Sequence, residues 1–275
     1  MTDSRIVGLI AGEGDFPLLF AKMARRQGHT VVACAIEGAA KPEIEQAADK
    51  IYWVKLGKIG RLMDHFRSEK IRDVVMCGRI RKEIFFKHPA IDAVGLKLLA
   101  KLKDLRTGEI LASASKFLEE EGFLVQPSVL FLKDYLPNPG VLTKRKPDKR
   151  ERADIEFGVR MARRLADLDI GQTVVVKDRI VVAAEAVEGT DETIDRAGRI
   201  AGLGCVVVKM NAPGRDMRFD VPTVGLATIR RMASAGATVL AVQSGQTLLL
   251  EKDELISEAE AEKISVVAVT PDVSE

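Results

Sequence analysis

Nearly continuous apolar runs, separated by amphipathic segments, mark the first half of the chain. Runs rich in Val, Ile, Leu and Ala occupy residues 5–11, 30–36 and 73–77, and segments with a helical apolar period lie between them at 17–27 and 59–69. Strands that alternate with helices and are apolar on both faces are typical of parallel sheets, because helices cover both sides of such sheets. The pattern predicts a Rossmann-like α/β fold for this half.

The length of the chain indicates a second domain. Its 275 residues exceed the roughly 100–200 residues of a typical single domain. Residues 135–150 are rich in proline and charge, which is typical of a linker. We therefore predict a Rossmann-like domain over residues 1–134 and a mixed α/β domain over residues 151–275. The elements predicted in the second domain are a helix at 151–167, a hairpin of strands at 173–177 and 179–185, a helix at 191–201, a strand at 205–209, a helix at 228–235, and strands at 238–243 and 247–250.

Charge and cysteine usage exclude several classes of protein. The 42 basic and 40 acidic residues give a formal net charge of +2, so no large field attracts nucleic acid, and we expect no nucleic-acid partner. The three cysteines lie in apolar runs without the spacing of metal ligands, which favours buried, reduced thiols and a cytoplasmic protein. The uncharged run at 232–250 is interrupted by Ser, Gly and Gln and predicts a helix end and two strands rather than a membrane span.

Two glycine-containing loops follow predicted strands of the first half. Ligands bind at the carboxyl ends of strands in open α/β sheets, and glycine lets a ligand approach the backbone closely. The residues that we expect to contact a phosphate or a sugar there are Gly12, Gly14, Asp15, Phe16, Gly78 and Arg79. A plain turn before a helix and a solvated basic loop are the alternatives. Pro17 stands where a dinucleotide fingerprint has its third glycine, which argues against NAD.

Carboxylates crowd two segments of the second half. Glu185, Glu188 and Asp191 form the first group, and Asp216 and Asp220 form the second. Carboxylates that are gathered together repel one another, and a divalent metal with a phosphate substrate is the commonest compensation. The groups predict a metal and phosphate site. The alternative for Asp191, or for Thr190 beside it, is an ordinary helix N-cap.

Two cations lie near these carboxylates in the sequence. Lys209 ends a predicted strand, and Arg215 closes the loop at 211–215 that follows it. Ammonium, guanidinium and backbone N–H groups together suit an oligophosphate. A surface loop without function is the alternative.

The segment at 85–105 combines apolar and basic residues. Phe85 and Phe86 precede an apolar stripe that is interleaved with lysines. Such a helix contacts acyl chains or a membrane surface in some proteins. The more ordinary interpretation is a helix that packs on its own domain.

These segments together resemble the LpxI-type UDP-2,3-diacylglucosamine pyrophosphatases of bacterial lipid A synthesis. The resemblance runs nearly end to end. The motifs that carry it are Gly12-Glu-Gly-Asp-Phe-Pro17, Met76-Cys-Gly-Arg79, Asp169-Ile-Gly-Gln-Thr-Val-Val-Val176, Glu185-Ala-Val-Glu-Gly-Thr-Asp191 and Pro213-Gly-Arg-Asp-Met-Arg-Phe-Asp-Val-Pro-Thr-Val-Gly225. The resemblance implies a Mg²⁺-dependent hydrolase of lipopolysaccharide synthesis that splits UDP-2,3-diacylglucosamine, held between two domains, into UMP and 2,3-diacylglucosamine 1-phosphate (lipid X).

The resemblance also implies roles for individual residues. Glu188, Asp191 and Asp220 are expected to hold Mg²⁺, and Glu188 and Asp220 to take part in catalysis. The residues expected near the substrate phosphates are Thr190, Lys209 and Arg215. Peripheral contact with the inner membrane is a further expectation, and association of two copies is left open.

One position departs from the family pattern. The family usually carries an acid two residues after the glycine of Val-Pro-Thr-Val-Gly225, and this chain has Ala227 there. If that acid ligates the metal or positions water, its loss lowers turnover and spares substrate binding. The sequence therefore predicts an impaired enzyme. A glycolipid-binding protein without catalysis and an NAD-linked Rossmann oxidoreductase are the alternatives.

Overall fold

The chain forms two compact units. The computed structural model describes residues 5–79, 91–102, 107–212, 216–218 and 221–270. The first unit contains Met1–Lys133 together with Asp216–Asp220, and the second contains Asp134–Arg215 and Val221–Glu275. A short segment from the second half of the sequence thus belongs to the first unit.

The first unit is built on a parallel sheet with the strand order β3-β2-β1-β4-β5. Its strands are β1 (Ile6–Ala11), β2 (Thr30–Ile36), β3 (Lys50–Val54), β4 (Asp73–Cys77) and β5 (Leu124–Val125). Its helices are α1 (Phe16–Arg26), α2 (Ile44–Ala47), α3 (Ile59–Ser68), α4 (Ala93–Lys101) and α5 (Thr107–Glu120). β2 and β3 lie on one side of β1, and β4 and β5 lie on its other side. This change of side after β3 is typical of Rossmann-like sheets, so the predicted fold is confirmed.

The second unit contains a mixed sheet with the strand order β6-β13-β11-β9-β7-β8. Its strands are β6 (Gly140–Val141), β7 (Thr173–Lys177), β8 (Ile180–Ala184), β9 (Cys205–Lys209), β11 (Ala237–Gln243) and β13 (Ser265–Val269), and a separate parallel pair consists of β10 (Thr223–Val224) and β12 (Leu248–Leu249). Its helices are α6 (Lys149–Asp167), α7 (Thr190–Ala201), α8 (Leu226–Ala235) and α9 (Lys252–Ala261), and a 3₁₀ helix occupies Lys133–Tyr135. The predicted mixed α/β class is confirmed.

A buried carboxylate anchors the hairpin of β7 and β8. Asp178 and Arg179 have positive φ angles of 53° and 60°, the combination that a type I′ hairpin turn requires. Asp154, which is 2% exposed, accepts hydrogen bonds from the backbone N–H groups of Asp178 at 3.0 Å and Arg179 at 2.6 Å. The predicted hairpin is present, and α6 holds its turn.

Residues 135–150 contribute regular structure to the second unit. β6 pairs antiparallel with β13. Asp148 and Glu151 form a reciprocal capping box at the start of α6, which satisfies two of the unpaired N–H groups at that helix end. Within the described ranges, no helix combines enough length and hydropathy to cross a bilayer.

Candidate functional site

Polar residues collect at one edge of the second sheet. In the strand register, Thr173 at the start of β7 pairs with Lys209 at the end of β9, and Glu185 directly follows the end of β8. β11 runs parallel to β9 and ends at Gln243. We call this edge the carboxyl edge, defined by Gln172, Thr173, Glu185, Lys209 and Gln243. It corresponds to the edge where open α/β sheets bind ligands.

A buried cation and a buried carboxylate share one hydroxyl at the carboxyl edge. Lys209 is 6% exposed and Glu185 is 8% exposed. Lys209 Nζ donates to Thr190 Oγ1 at 2.9 Å, and Thr190 Oγ1 donates to Glu185 Oε1 at 3.0 Å. The burial of these two groups is tolerated because they have opposite charges and each is hydrogen-bonded. The structure therefore brings together two predicted substrate-binding residues, Thr190 and Lys209.

Further polar groups of the edge surround this chain of bonds. Thr173 Oγ1 lies 3.4 Å from Thr190 Oγ1, and the backbone N–H of Gln172 donates to Glu185 Oε2 at 3.3 Å. The backbone N–H of Asn211 donates to Gln243 Oε1 at 2.9 Å. The buried Oε1 of Gln172 has no hydrogen-bond partner among the described residues. This oxygen is therefore an unsatisfied acceptor within the edge.

Glu188 is held by Arg196 of α7 and by the backbone two residues before it. Its carboxylate pairs with Arg196 at 2.7 Å and accepts from the Ala186 N–H at 3.2 Å. A hydrogen bond from its own backbone N–H, supported by the Arg196 charge and the Ala186 N–H, lowers the pKa of Glu188. The carboxylate is therefore ionised at neutral pH and has Arg196 as its partner.

Neither Thr190 nor Asp191 caps α7. The N-cap residue is Gly189, and no side chain makes a cap hydrogen bond there. Thr190 directs its hydroxyl to the carboxyl edge instead, while Asp191 lies exposed in the first turn of the helix. The alternative that either residue is the N-cap is therefore wrong. An acid in the first turn still interacts favourably with the helix dipole.

Ala227 lies in the first turn of a helix that runs beside α7. Arg231 of α8 pairs with Asp195 of α7 at 2.8 Å, and a Cβ on Gly198 would lie 2.8 Å from Ala235 Cβ. Both contacts join residues that are 36 or 37 positions apart, so the helices are parallel. Ala227 lies four residues before Arg231 and Asp191 four residues before Asp195, so both stand in the first turns of these parallel helices. An acid at position 227 would thus join a carboxylate that is already present.

The metal set predicted from the sequence is described only in part. Asp220 and Arg215 lie outside the described residues. Among the residues that the structure describes, no three His, Cys, Asp or Glu side chains are grouped so that they could hold a metal. Glu188 and Asp191 are thus the described members of the predicted set.

Asp216 belongs to the first unit. Arg218 donates to both of its carboxylate oxygens, to Oδ1 at 3.0 Å and to Oδ2 at 2.7 Å, and also donates to Glu119 at 2.7 Å. The hydrogen bonds from Arg218 lower the pKa of Asp216. The backbone N–H of Ser128 donates to the carbonyl of Arg218 at 3.1 Å. Asp216, the described member of the second predicted group of carboxylates, therefore contributes to the first unit.

The two glycine loops of the first unit bind each other at the point where the strand order reverses. The N–H of Gly12 donates to Cys77, and Glu13 and Arg79 exchange backbone hydrogen bonds at 2.8 Å and 3.1 Å. A Cβ on Gly12 would lie 2.8 Å from the carbonyl oxygen of Arg79, and one on Gly78, whose φ is +90°, would lie 2.8 Å from that of Glu13. These two glycines are thus required by the close approach of the loops.

The free side of this loop pair is formed by the start of α1. Gly14 has a φ of +99°, and no described atom lies within 4 Å of the place that its Cβ would take. The side chain of Asp15 makes no cap hydrogen bond and pairs with Lys41 at 2.6 Å. Phe16 is buried, whereas Arg79 is largely exposed and lies 3.5 Å from Glu13. Gly14, Asp15 and Arg79 are therefore at least partly exposed, whereas Gly12 and Phe16 are buried.

Family models match both halves of the chain. The LpxI N-terminal domain matches residues 6–135, and the LpxI C-terminal domain matches residues 138–267. The chain belongs to the LpxI family. A relative of this LpxI-family chain, UDP-2,3-diacylglucosamine pyrophosphatase LpxI from Caulobacter vibrioides (strain ATCC 19089 / CIP 103742 / CB 15), is 30% identical over 280 residues, which cover 97% of this chain and 98% of the relative.

Solved structures give weaker likenesses to the LpxI-family chain. Phosphoribosylglycinamide synthetase from Anaerococcus prevotii has a TM-score of 0.27 and 12% identity, with coverage of 70% of this chain and 42% of that chain. N5-carboxyaminoimidazole synthetase from Staphylococcus aureus, complexed with ADP, has a TM-score of 0.26 and 13% identity, with coverage of 77% and 68%. These TM-scores are too low to indicate a shared fold.

Sequence reasoning missed three polar residues of the carboxyl edge in this LpxI-family chain. Gln172 directly precedes β7, Thr173 begins it, and Gln243 ends β11. The signal was present in the sequence, because each of these side chains stands at the end of an apolar run. Which ends share an edge depends on the strand order, which the sequence pattern does not give.

Proposed function

We propose that the chain hydrolyses the pyrophosphate bond of UDP-2,3-diacylglucosamine and releases UMP and 2,3-diacylglucosamine 1-phosphate (lipid X) in lipid A biosynthesis. The observation that carries this proposal is the match of the LpxI family along both halves of the chain, with a relative of that name at 30% identity over 97% of the chain. We propose that both units contribute residues to substrate binding.

The carboxyl edge supports a role in binding the pyrophosphate. Lys209 supplies an ammonium, and the parallel helices α7 and α8 both begin without a side-chain cap. Helix N-termini of this kind present N–H groups and the positive end of the helix dipole to an anion. Pyrophosphate at this edge would meet three sources of positive potential in the second unit.

Mg²⁺ is the metal that we propose for the reaction. It prefers oxygen ligands, keeps several waters, and is usually held by one or two carboxylates together with the phosphates of the substrate. The exposed carboxylate of Asp191 fits that requirement, and Glu188 is ionised nearby in sequence. When bound, Mg²⁺ would neutralise the charge that develops on the phosphates. Lys209 and the starts of the two helices would orient the pyrophosphate.

Ala227 supports the further proposal that turnover in this chain is impaired. An acid at the start of α8 would add a second carboxylate, besides Asp191, in the first turns of the two parallel helices. Loss of a group that acts only in the transition state lowers kcat and leaves binding of the substrate intact. A glycolipid-binding protein without catalysis is therefore the second candidate function.

Hydrolysis of the glycolipid by the full chain and by an Ala227→Asp variant tests these proposals. We expect the variant to release UMP and lipid X at least about 100-fold faster than the unaltered chain, in the presence of Mg²⁺, because metal and water-positioning groups make contributions of this order. Ala227→Asn is the control, because it matches the shape of Asp without the charge.

Each outcome of this assay has a distinct meaning. Equal rates for the unaltered chain and the Ala227→Asp variant would contradict the proposed impairment. Tight binding of the glycolipid without release of UMP by either protein would favour the second candidate. Absence of both binding and release would contradict the proposed function.

A further inference from the structure

The direction of the hydrogen bonds at the carboxyl edge is fixed by the chemistry of the three side chains. The ammonium of Lys209 can only donate, and the carboxylate of Glu185 accepts from the Thr190 hydroxyl. Thr190 lies between them, at 2.9 Å from Lys209 Nζ and 3.0 Å from Glu185 Oε1. The Thr190 hydroxyl must therefore accept a hydrogen bond from Lys209 and donate its own hydrogen bond to Glu185.

We propose that Glu185 is a positioning residue for Lys209. Glu185 accepts the hydrogen bond of the Thr190 hydroxyl, so that the lone pairs of the Thr190 oxygen remain available to accept from the ammonium. This acceptor holds Lys209 Nζ at the carboxyl edge in one orientation, ready for a pyrophosphate group. The proposal rests on the proposed function, because it takes phosphate as the ligand of Lys209.

The surroundings of Glu185 hold the carboxylate itself in place. The N–H of Gln172 donates to Glu185 Oε2 at 3.3 Å, and the N–H of Glu185 donates to the Thr173 carbonyl at 2.9 Å. Glu185 is 8% exposed, so its negative charge acts on Lys209 with little screening by water. A buried charge pair adds little stability compared with apolar side chains. Its location at the edge where α/β sheets bind ligands favours a functional reason for it.

Helix capping does not explain the same contacts. Thr190 is the first residue of α7, and its hydroxyl makes no cap hydrogen bond. Its partners come from the start of β7, the end of β8 and the end of β9. Side chains at the ends of three strands thus contact the Thr190 hydroxyl, which makes no cap hydrogen bond in α7.

Binding of UDP to the full chain, measured by calorimetry, tests the proposal. Glu185→Gln keeps the shape but places an NH₂ group against either the Gln172 N–H or the Thr190 hydroxyl, and Thr190→Val removes the hydroxyl. We expect each change to weaken UDP binding about 10- to 100-fold, as hydrogen bonds to charged groups do, and Thr190→Ser to restore affinity. Glu192→Gln is the matched control, because it removes one exposed carboxylate from the same helix turn and should have almost no effect.

A double-mutant cycle separates positioning from a structural role. If Glu185 acts through Lys209, Glu185→Gln should have no further effect on UDP affinity in a Lys209→Met background. Equal losses in both backgrounds, full affinity of Glu185→Gln and Thr190→Val, or absence of UDP binding by the unaltered chain would each overturn the proposal. Thr190→Val tests it independently if Glu185→Gln fails to fold. Glycolipid hydrolysis by the Ala227→Asp variant is assayed separately, so its absence would contradict the proposed hydrolase function and leave the UDP result standing.

Discussion

At the scale of single residues, two glycines with similar backbone angles differ in what surrounds them. Gly78 and Gly14 both have positive φ, at +90° and +99°. Gly78 would set a Cβ against the backbone of Glu13, whereas Gly14 faces open space among the described residues. The backbone strain of an L-residue is therefore shared by both positions, and the steric clash is confined to Gly78.

We predict that Gly78→Ala destabilises the protein more than Gly14→Ala does. Strain alone should cost about 1 kcal/mol at Gly14, and strain with the clash about 2–4 kcal/mol at Gly78. Urea unfolding of the two variants measures both values, with Gly14→Ala as the control for strain. Losses of equal size would mean that the β1 and β4 loops adjust without cost.

Motifs identify candidate residues more readily than they identify the contacts between them. Lys209 and Thr190 could be selected from the sequence because they lie in segments that also carry carboxylates. Their hydrogen bond could not, because it joins residues 19 positions apart and depends on the position of α7 over the sheet. The same limit applies to Gly189, whose role as the N-cap follows from backbone angles.

At the scale of elements, the apolar runs predicted the central strands well. The strands predicted at 30–36, 73–77, 173–177 and 205–209 have the same bounds in the structure. Strand β6 is not predictable from the sequence, because two residues show no periodicity and become a strand only by pairing with β13. Edge strands of this length depend on tertiary pairing.

The hairpin of β7 and β8 gives a prediction at this scale. Its turn keeps two non-glycine residues at positive φ because Asp154 accepts both of their N–H groups. Asp154→Ala should destabilise the protein by about 1–3 kcal/mol, since two donors lose a buried acceptor. Adding Arg179→Gly should recover part of that loss, because glycine tolerates positive φ. Thermal unfolding measures both effects, and no recovery would mean that the turn is not strained.

Helix α4 gives a second prediction at the scale of elements. Val94 and Leu98 pack on the core of the first unit, so the predicted packing of this helix on its own domain is confirmed for the face that carries them. Leu96, next to Lys97, is 62% exposed. Phe85 and Phe86 lie outside the described residues. We propose that the exposed face contacts anionic membranes, since an apolar side chain flanked by lysine suits such a surface.

Flotation with vesicles that contain anionic lipid tests this contact. Leu96→Glu should reduce the bound fraction several-fold, whereas Leu168→Glu, a change at an equally exposed leucine of the second unit, should not. Equal reduction by both variants would indicate a general effect of charge rather than a specific surface on α4.

At the scale of the whole molecule, the chain returns once from the second half of the sequence to the first unit. Residues 216–218 are held there by the carboxylate of Glu119 and by the backbone and hydroxyl of Ser128. Arg218 is the centre of this attachment, because its guanidinium pairs with both Asp216 and Glu119. The motif at 213–225, which is part of the resemblance to the family, is therefore divided between the two units.

The attachment of residues 216–218 should depend on pH. Because Arg218 lowers the pKa of Asp216 in the folded protein, the stabilisation is present above the ordinary Asp pKa of about 3.9 and is lost as the pH falls through the lower folded value. The amide of Ser128, which donates to Arg218, reports this attachment by hydrogen exchange. Its protection should fall in Arg218→Met and should then lose its dependence on acid, whereas Arg231→Met, which removes an ion pair of the second unit, should leave it unchanged. Unaltered protection in Arg218→Met would mean that backbone hydrogen bonds alone hold the segment, and the division of the motif between the units would then not depend on its charges.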